Sequence, residues 1–288
     1  MAARILKGQP VVERLHRNIE QQVAALTSIE IVPTLAIVDA TSDPSAALRA
    51  RAKEIACAQS GIQTQLLTLP ASGSGRELVE HLRELAENPK VHAIIVEAPV
   101  SEEYSSLHLN LRVPPEKDVD GLHPVNLGRL LAGNPLFVPA TAAACVELLH
   151  HYEIPIAGKR VVIVGRSLVV GKPLALLMLA EDATVTLCHS RTRDLAYETR
   201  QAEILIVAAG KPELVTASMV TPGAVVLDVG TNLGPDGQVV GDVEQAGVNL
   251  VASALSPPKE GLGPVTTALL LWQVVEAARL RAEVKAAS

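Results

Sequence analysis

The sequence predicts an α/β protein of two domains: an N-terminal α/β domain, and a Rossmann-type doubly wound parallel-sheet domain, with the C-terminal helix returning to the first. Three observations carry that prediction. Short β-branched runs alternate with longer helical patterns almost from end to end, which is the rhythm of βαβ units. A stretch rich in Pro and Gly, "RVPPEKDVDGLHPVNLGRLLAGNPLFVP" (112–139), interrupts the alternation midway. Beyond it, "VVIVGRSLVVGKPLALLML" (161–179) runs strand, Gly turn, helix at the head of a five-strand series.

Taken in order, "TLAIVDA" (34–40), "TQLLTL" (64–69) and "HAIIVEA" (92–98) read as buried parallel strands, separated by helices near 44–60 and 75–87. After the break come a helix near 141–152 and the strands "RVVIVG" (160–165), "TVTLC" (184–188), "ILIVAAG" (204–210), "AVVLDVG" (224–230) and "NLVAS" (249–253). These are apolar nearly throughout, as strands covered by helices on both faces must be. The closing "GPVTTALLLWQVVEAARLRAEV" (263–284) repeats apolar residues at three and four. It is longer than the second sheet needs, so its end is expected on the first domain. The predicted boundaries are 1–139, completed by 264–288, and 140–263.

Composition narrows the class. With 48% hydrophobic and 19% charged residues among 288, the chain can bury two ordinary cores. One Phe, one Trp and three Tyr force those cores onto Ala, Val, Leu and Ile. A net charge of -6 without a basic patch argues against a nucleic-acid partner. Cys57, Cys145 and Cys188 are widely spaced and lack metal-ligand or disulfide-framework spacing, so no metal is expected. No run approaches the roughly 18 apolar residues of a membrane span, and the N-terminus has no long apolar h-region. A cytoplasmic protein with no membrane partner is the expectation.

Two places promise chemistry. In 161–179, Gly165 permits the tight turn, Gly171 permits close backbone approach and Pro173 suits the first helical turn, so backbone N–H groups and the helix dipole would face an anion. The spacing is not GxGxxG, but the position is the one at which dinucleotides bind. Arg166 in the turn, and Ser190 and Arg191 at the end of the next strand, stand where an NAD enzyme would place an acid for the ribose. They favour a 2′-phosphate, hence NADP. The other place is "ALRARAKEIA" (47–56), which puts Arg49 and Lys53 four apart on one helix face, where like charges repel. Glu97, after four apolar strand residues, either faces those cations or caps a loop, and spacing weighs the two equally. "EKDVDG" (116–121) adds two acids on a loop stiffened by prolines, and His123 reads as structural.

"PEKDVDGLHPVNLGRL" (115–130), "VGRSLVVGKP" (164–173), "ATVTLCHSRT" (183–192), "AGKPELV" (209–215), "GAVVLDVGTN" (223–232) and "GLGPVTTALL" (261–270) resemble the bifunctional methylenetetrahydrofolate dehydrogenase/cyclohydrolase family, from about Pro33 to the last helix. The resemblance implies a folate-site domain, a Rossmann domain and a homodimer. It also implies oxidation of 5,10-methylenetetrahydrofolate by hydride transfer to NADP, then hydrolysis of the methenyl product to 10-formyltetrahydrofolate. Lys53 matches the family's catalytic lysine and Asp120 the acid that binds the pterin ring. Arg49, Pro264 and Thr266 fall at the substrate. Gly165, Arg166 and Ser167 match the cofactor turn, with Arg166 and Ser190 at the 2′-phosphate, and Thr231 falls near the nicotinamide half, where Ile is more usual.

Four departures stand out. The family's tyrosine one turn before the lysine is Arg49, the glutamine ending "VQLP" is Glu97, "PCTP" reads "PATA" (139–142), and "TPVPGGVGPMT" reads "SPPKEGLGPVT" (256–266). A carboxylate near Lys53 favours the ammonium and opposes its service as a base, while it favours the positive charge that hydride removal creates. Dehydrogenation is therefore expected to be better preserved than hydrolysis. Two alternatives stand beside this: a paralogue using hydride chemistry on another small substrate, and a noncatalytic NADP-binding protein.

Overall fold

The computed structural model describes residues 2–41, 44–69, 74–234 and 237–287, with side chains omitted at 44–46 and 285–287. Along the chain the elements are β1 (Arg4–Ile5), α1 (Gln9–Thr27), β2 (Thr34–Asp39), α2 (Pro44–Gln59), β3 (Gln63–Thr68), α3 (Gly75–Glu87), β4 (Ala93–Val96), α4 (Glu102–Ser105), α5 (Pro124–Leu131) and α6 (Ala140–His151). There follow β5 (Arg160–Val164), α7 (Gly171–Ala180), β6 (Thr184–Cys188), α8 (Leu195–Thr199), β7 (Ile204–Val207), β8 (Val225–Asp228), β9 (Asn232–Leu233), β10 (Val239–Val240), α9 (Gln245–Val251), β11 (Ala254–Leu255) and α10 (Leu262–Ala287).

The chain divides into two compact units, and all three boundaries fall within or beside helices: one unit comprises the residues up to Glu13 with Pro139–Thr266, the other Arg14–Val138 with the chain from Thr267. The first unit is built on a parallel six-stranded sheet of order β1-β11-β8-β7-β5-β6. Its inner strands are solidly apolar because helices cover both faces, and Val162, Val164, Leu205, Val207 and Val226 form the core. β1 extends this sheet by pairing with β11, so the first residues of the chain lie with the six-stranded sheet and not with the first domain, where 1–139 would put them.

The second unit holds a parallel sheet of order β3-β2-β4. β2 is buried along its whole length, and its neighbours pack against Leu78 and Leu82 of α3. Ser74 starts that helix by accepting the Glu77 N–H. β3 corrects the expectation of three buried strands: it is an edge strand, mostly exposed, with Gln63, Gln65 and Thr68 in its sequence and Leu66 at 44% exposure. The expected strand at 249–253 is also corrected. Residues 245–251 are helical because the Glu244 carboxylate caps the Gly247 N–H, and the strand follows at Ala254–Leu255. In the later part of α10, Gln273 donates to the carbonyls of Val119 and Val138 and accepts the Val138 N–H, tying helix and loop within this unit. Among the described residues no helix is long and apolar enough to cross a membrane, and no group of His, Cys, Asp or Glu gathers to hold a metal ion.

Candidate active site

Helix α2 carries Arg49 and Lys53 on one face, and the end of β4 supplies the charge between them. Lys53 Nζ donates to Glu97 Oε1 at 2.6 Å, and Arg49 Nε lies 3.7 Å from Glu97 Oε2. Arg49 Nη2 also donates to the Ala98 carbonyl at 2.8 Å. Glu97 is only 5% exposed, so it is a buried carboxylate gripped from two sides, and this offsets the repulsion built into the helix.

Glu97 lines a cavity of about 220 Å³ together with Val96, Tyr104, His108, Asp118 and Asp120. The two aspartates of "KDVDG" divide the work. Asp118 is buried and accepts the His123 N–H at 2.7 Å and Asn126 Nδ2 at 2.8 Å, which fixes the loop. Asp120 receives no side-chain hydrogen bond among the described residues and faces the cavity. Burial pushes its carboxyl up to about 7, Asp118 and Glu97 add to the rise, and Lys53 opposes it. Lys117, a residue the sequence reading passed over, anchors this loop. Its ammonium donates to the carbonyls of Leu85, Ala86 and Asn88, closing the C-terminus of α3, while its own carbonyl accepts the Ile94 N–H. Burial lowers the Lys117 ammonium to about 8, with Arg281 contributing. His123 caps α5 through Nδ1, which accepts the Val125 N–H, and Asp39 accepts the Thr41 N–H, so both are structural.

In the first unit, Gly165, Arg166, Ser167 and Ser190 line a cavity of about 410 Å³ at the carboxyl ends of β5, β6 and β7. Gly165 has φ +135°, and any side chain there would run into the Ala208 carbonyl; a side chain at Gly171 would strike the carbonyl of Gly165. Gly171 thus closes the turn on itself and stands behind the cavity wall. Ser167 Oγ accepts the Val170 N–H, which leaves its O–H to donate outward. Lys211 and His189 also line this cavity and were not anticipated; their signal was position after a strand, the same that marked Ser190. Cations with hydroxyls around a glycine turn suit an anionic nucleotide.

Besides Gly171, two anticipated cofactor residues, Arg191 and Thr231, are not among those lining this cavity. Arg191 is exposed and contributes its backbone N–H to His189 Nδ1, because the 188–192 loop is knit by its own hydrogen bonds. Thr231 is exposed at the start of the β9–β10 hairpin. Pro264 and Thr266 stand at the start of α10 in the first unit, and the Thr266 hydroxyl is spent on the Leu262 carbonyl. The altered turn before them packs on the N-terminal segment, with Glu260 paired to Lys7 at 2.9 Å and its carbonyl accepting the Gly8 N–H.

Two family models match the chain: the tetrahydrofolate dehydrogenase/cyclohydrolase catalytic domain over residues 6–120, and the NAD(P)-binding domain of the same description over 139–282. Among curated relatives, bifunctional protein FolD 1 of Paenarthrobacter aurescens is 45% identical over 279 residues, covering 97% of this chain and 95% of that one. The FolD protein of Parafrankia sp. is 46% identical over 275 residues, 96% of this chain and 99% of that one. Of solved structures, the bifunctional enzyme FolD of Campylobacter jejuni aligns with a TM-score of 0.94 at 34% identity, covering 97% of this chain and all of that one. The Trypanosoma brucei enzyme, solved with NADP cofactor and an inhibitor, aligns at 0.92 and 33% identity over 97% and 98%.

Proposed function

The chain belongs to the tetrahydrofolate dehydrogenase/cyclohydrolase family, and from that premise we propose that it oxidises 5,10-methylenetetrahydrofolate with NADP and hydrolyses the methenyl product, with hydrolysis the slower step. The observation that carries the reading is the Lys53–Glu97 pair, whose carboxylate lines one cavity with Asp120, with Arg49 in place of a ring. NADP, when bound, supplies the hydride acceptor. Arg166, Ser167 and Ser190 hold its phosphates, and Arg166 offers a guanidinium for the 2′-phosphate. Asp120 accepts the N–H donors of the pterin ring, and the Arg49 guanidinium can lie flat against an aromatic face. Glu97 opposes the positive charge that grows on the substrate as hydride leaves. An assay that follows methenyltetrahydrofolate and NADPH absorbance in one cuvette, with NAD as comparison, tests both steps and the cofactor together; no methenyl product from the methylene substrate would overturn the reading.

Two further results follow. Arg166→Ser is expected to raise the KM for NADP about ten-fold while leaving that for NAD unchanged, the loss of one charge-assisted hydrogen bond. A parallel rise for both cofactors would deny Arg166 its place at the 2′-phosphate. The second concerns pH. Asp120 must be ionised to accept from the pterin, and with its carboxyl near 7 the ionised fraction grows as pH rises from 6 to 8. The folate KM should therefore fall over that range, by up to about ten-fold, and flatten in Asp120→Asn. A wild-type folate KM independent of pH contradicts the assignment.

The protein is proposed to be cytoplasmic and a homodimer. The exposed edge of β3, which among the described residues pairs only with β2, supports self-association. Light scattering should return twice the 30.3 kDa chain mass.

A further inference from the structure

Two aspartates deep in the first unit make no ion pair among the described residues. Asp242, with no exposed surface, takes the Ala209 and Gly210 N–H groups on Oδ2 at 2.6 and 2.9 Å, and the Lys211 N–H and Asn232 Nδ2 on Oδ1, each at 2.8 Å. Three successive backbone donors converging on one carboxylate form a concave anion nest that the protein fills with its own side chain. Asp228 holds Asp242 in turn, accepting the N–H groups of Asp242, Val243 and Gly230 and the amide of Gln245. Burial pushes the Asp228 carboxyl up to about 6, with those donors pulling it back. The segment fixed in this way is not remote. Ala209 and Lys211 line the 410 Å³ cavity, and the segment follows β7 as a turn with Gly210 at φ +63°.

We propose that Asp242 is a positioning residue for the nucleotide site: its carboxylate sets the Ala209–Lys211 wall before any cofactor arrives. The inference rests on reading that cavity as the NADP site. It also divides the anion contacts. The amides of 209–211 are consumed by Asp242, so phosphate is met at the Gly165 turn, and Lys211 contributes through its side chain alone. Buried donors that lose their acceptor carry the full cost of desolvation, which is why one isosteric change should be felt at the cavity.

Asp242→Asn removes one acceptor oxygen and turns an NH₂ toward existing donors. NADP affinity, titrated by fluorescence on the intact protein, should weaken about ten-fold. The KM for NADP should rise with it, while kcat at saturating NADP and the folate KM stay within about two-fold. Adding Asn232→Asp gives the new amide an acceptor and should recover part of the affinity, which a general loss of stability would not do. Should Asp242→Asn fail to fold, Asn232→Ala removes a single donor; NADP binding should then weaken about two- to five-fold and the 209–211 amides exchange hydrogen faster. Unchanged NADP affinity, or equal losses for NADP and folate, overturns the inference. A wild-type protein that binds no NADP overturns the cavity assignment itself, and the inference with it.

Discussion

Lys53→Met is expected to slow hydrolysis of methenyltetrahydrofolate by about 10²- to 10⁴-fold, the range contributed by a positioned proton-transfer group. Hydrolysis forms a C–O bond from water to the methenyl carbon, breaks its bond to N5 and releases one net proton, so a group that relays protons must act. Lys53 Nζ sits 2.6 Å from a carboxylate that lines the 220 Å³ cavity. Methionine keeps the apolar stem and deletes the ammonium. Dehydrogenation moves a hydride and no proton to the protein, so its rate should fall by less than about ten-fold. The variant also leaves Glu97 with Arg49 as its remaining cationic partner, and thermal unfolding should register a cost of about 1–3 kcal/mol. Rates measured at temperatures where the variant is folded separate the two effects. Equal losses in both reactions would remove Lys53 from proton transfer.

How much of this was legible in the sequence depends on the range of the interaction. The strands of the first unit announce themselves because burial on both faces leaves them apolar, and a run such as "RVVIVG" needs no partner to be recognised. β3 carries the same apolar look in Leu66 and Leu67, yet it lies at an edge; only the pairing order decides that. Helix α1 was readable, since Val11, Leu15, Ile19, Val23 and Leu26 recur at four and three and all are buried, but it precedes the first obvious strand and was passed over. At 249–253 the apolar Leu250 and Val251 suggest a strand, but the cap at Glu244 makes residues 245–251 helical.

The candidate site divides along the same line. Arg49 and Lys53 share a face by helical spacing alone. That Glu97 reaches both is a tertiary fact, set by the pairing of β4 with β2, and spacing could only weigh it against a loop cap. Asp118 and Asp120 look alike in "KDVDG"; which is spent on the loop and which faces the cavity is decided by His123 and Asn126. Asp242 gave no signal, because three of its partners are backbone groups about thirty residues away and the fourth is the Asn232 side chain.

Glu97→Gln should move the two activities in opposite directions, raising hydrolysis by about 10²-fold while lowering dehydrogenation. Two unit charges 4 Å apart interact by roughly 4 kcal/mol at an effective dielectric constant near 20, and about 2.7 kcal/mol of that is a 10²-fold effect. Glutamine preserves the shape and one acceptor oxygen for Lys53, but it takes away the negative charge that engages Nζ at 2.6 Å. Arg49 stays, 3.7 Å from Glu97 Oε2 in the wild-type chain, and no carboxylate then stands between the two cations of α2. The same substitution strips from the cavity the carboxylate that opposes positive charge on the substrate, so hydride removal slows. A variant that merely loosens the fold lowers both rates. Opposed changes, read in one cuvette from methenyl and NADPH absorbance, can arise only if Glu97 acts on proton and hydride chemistry with opposite sign, and a fall in both would sink that account.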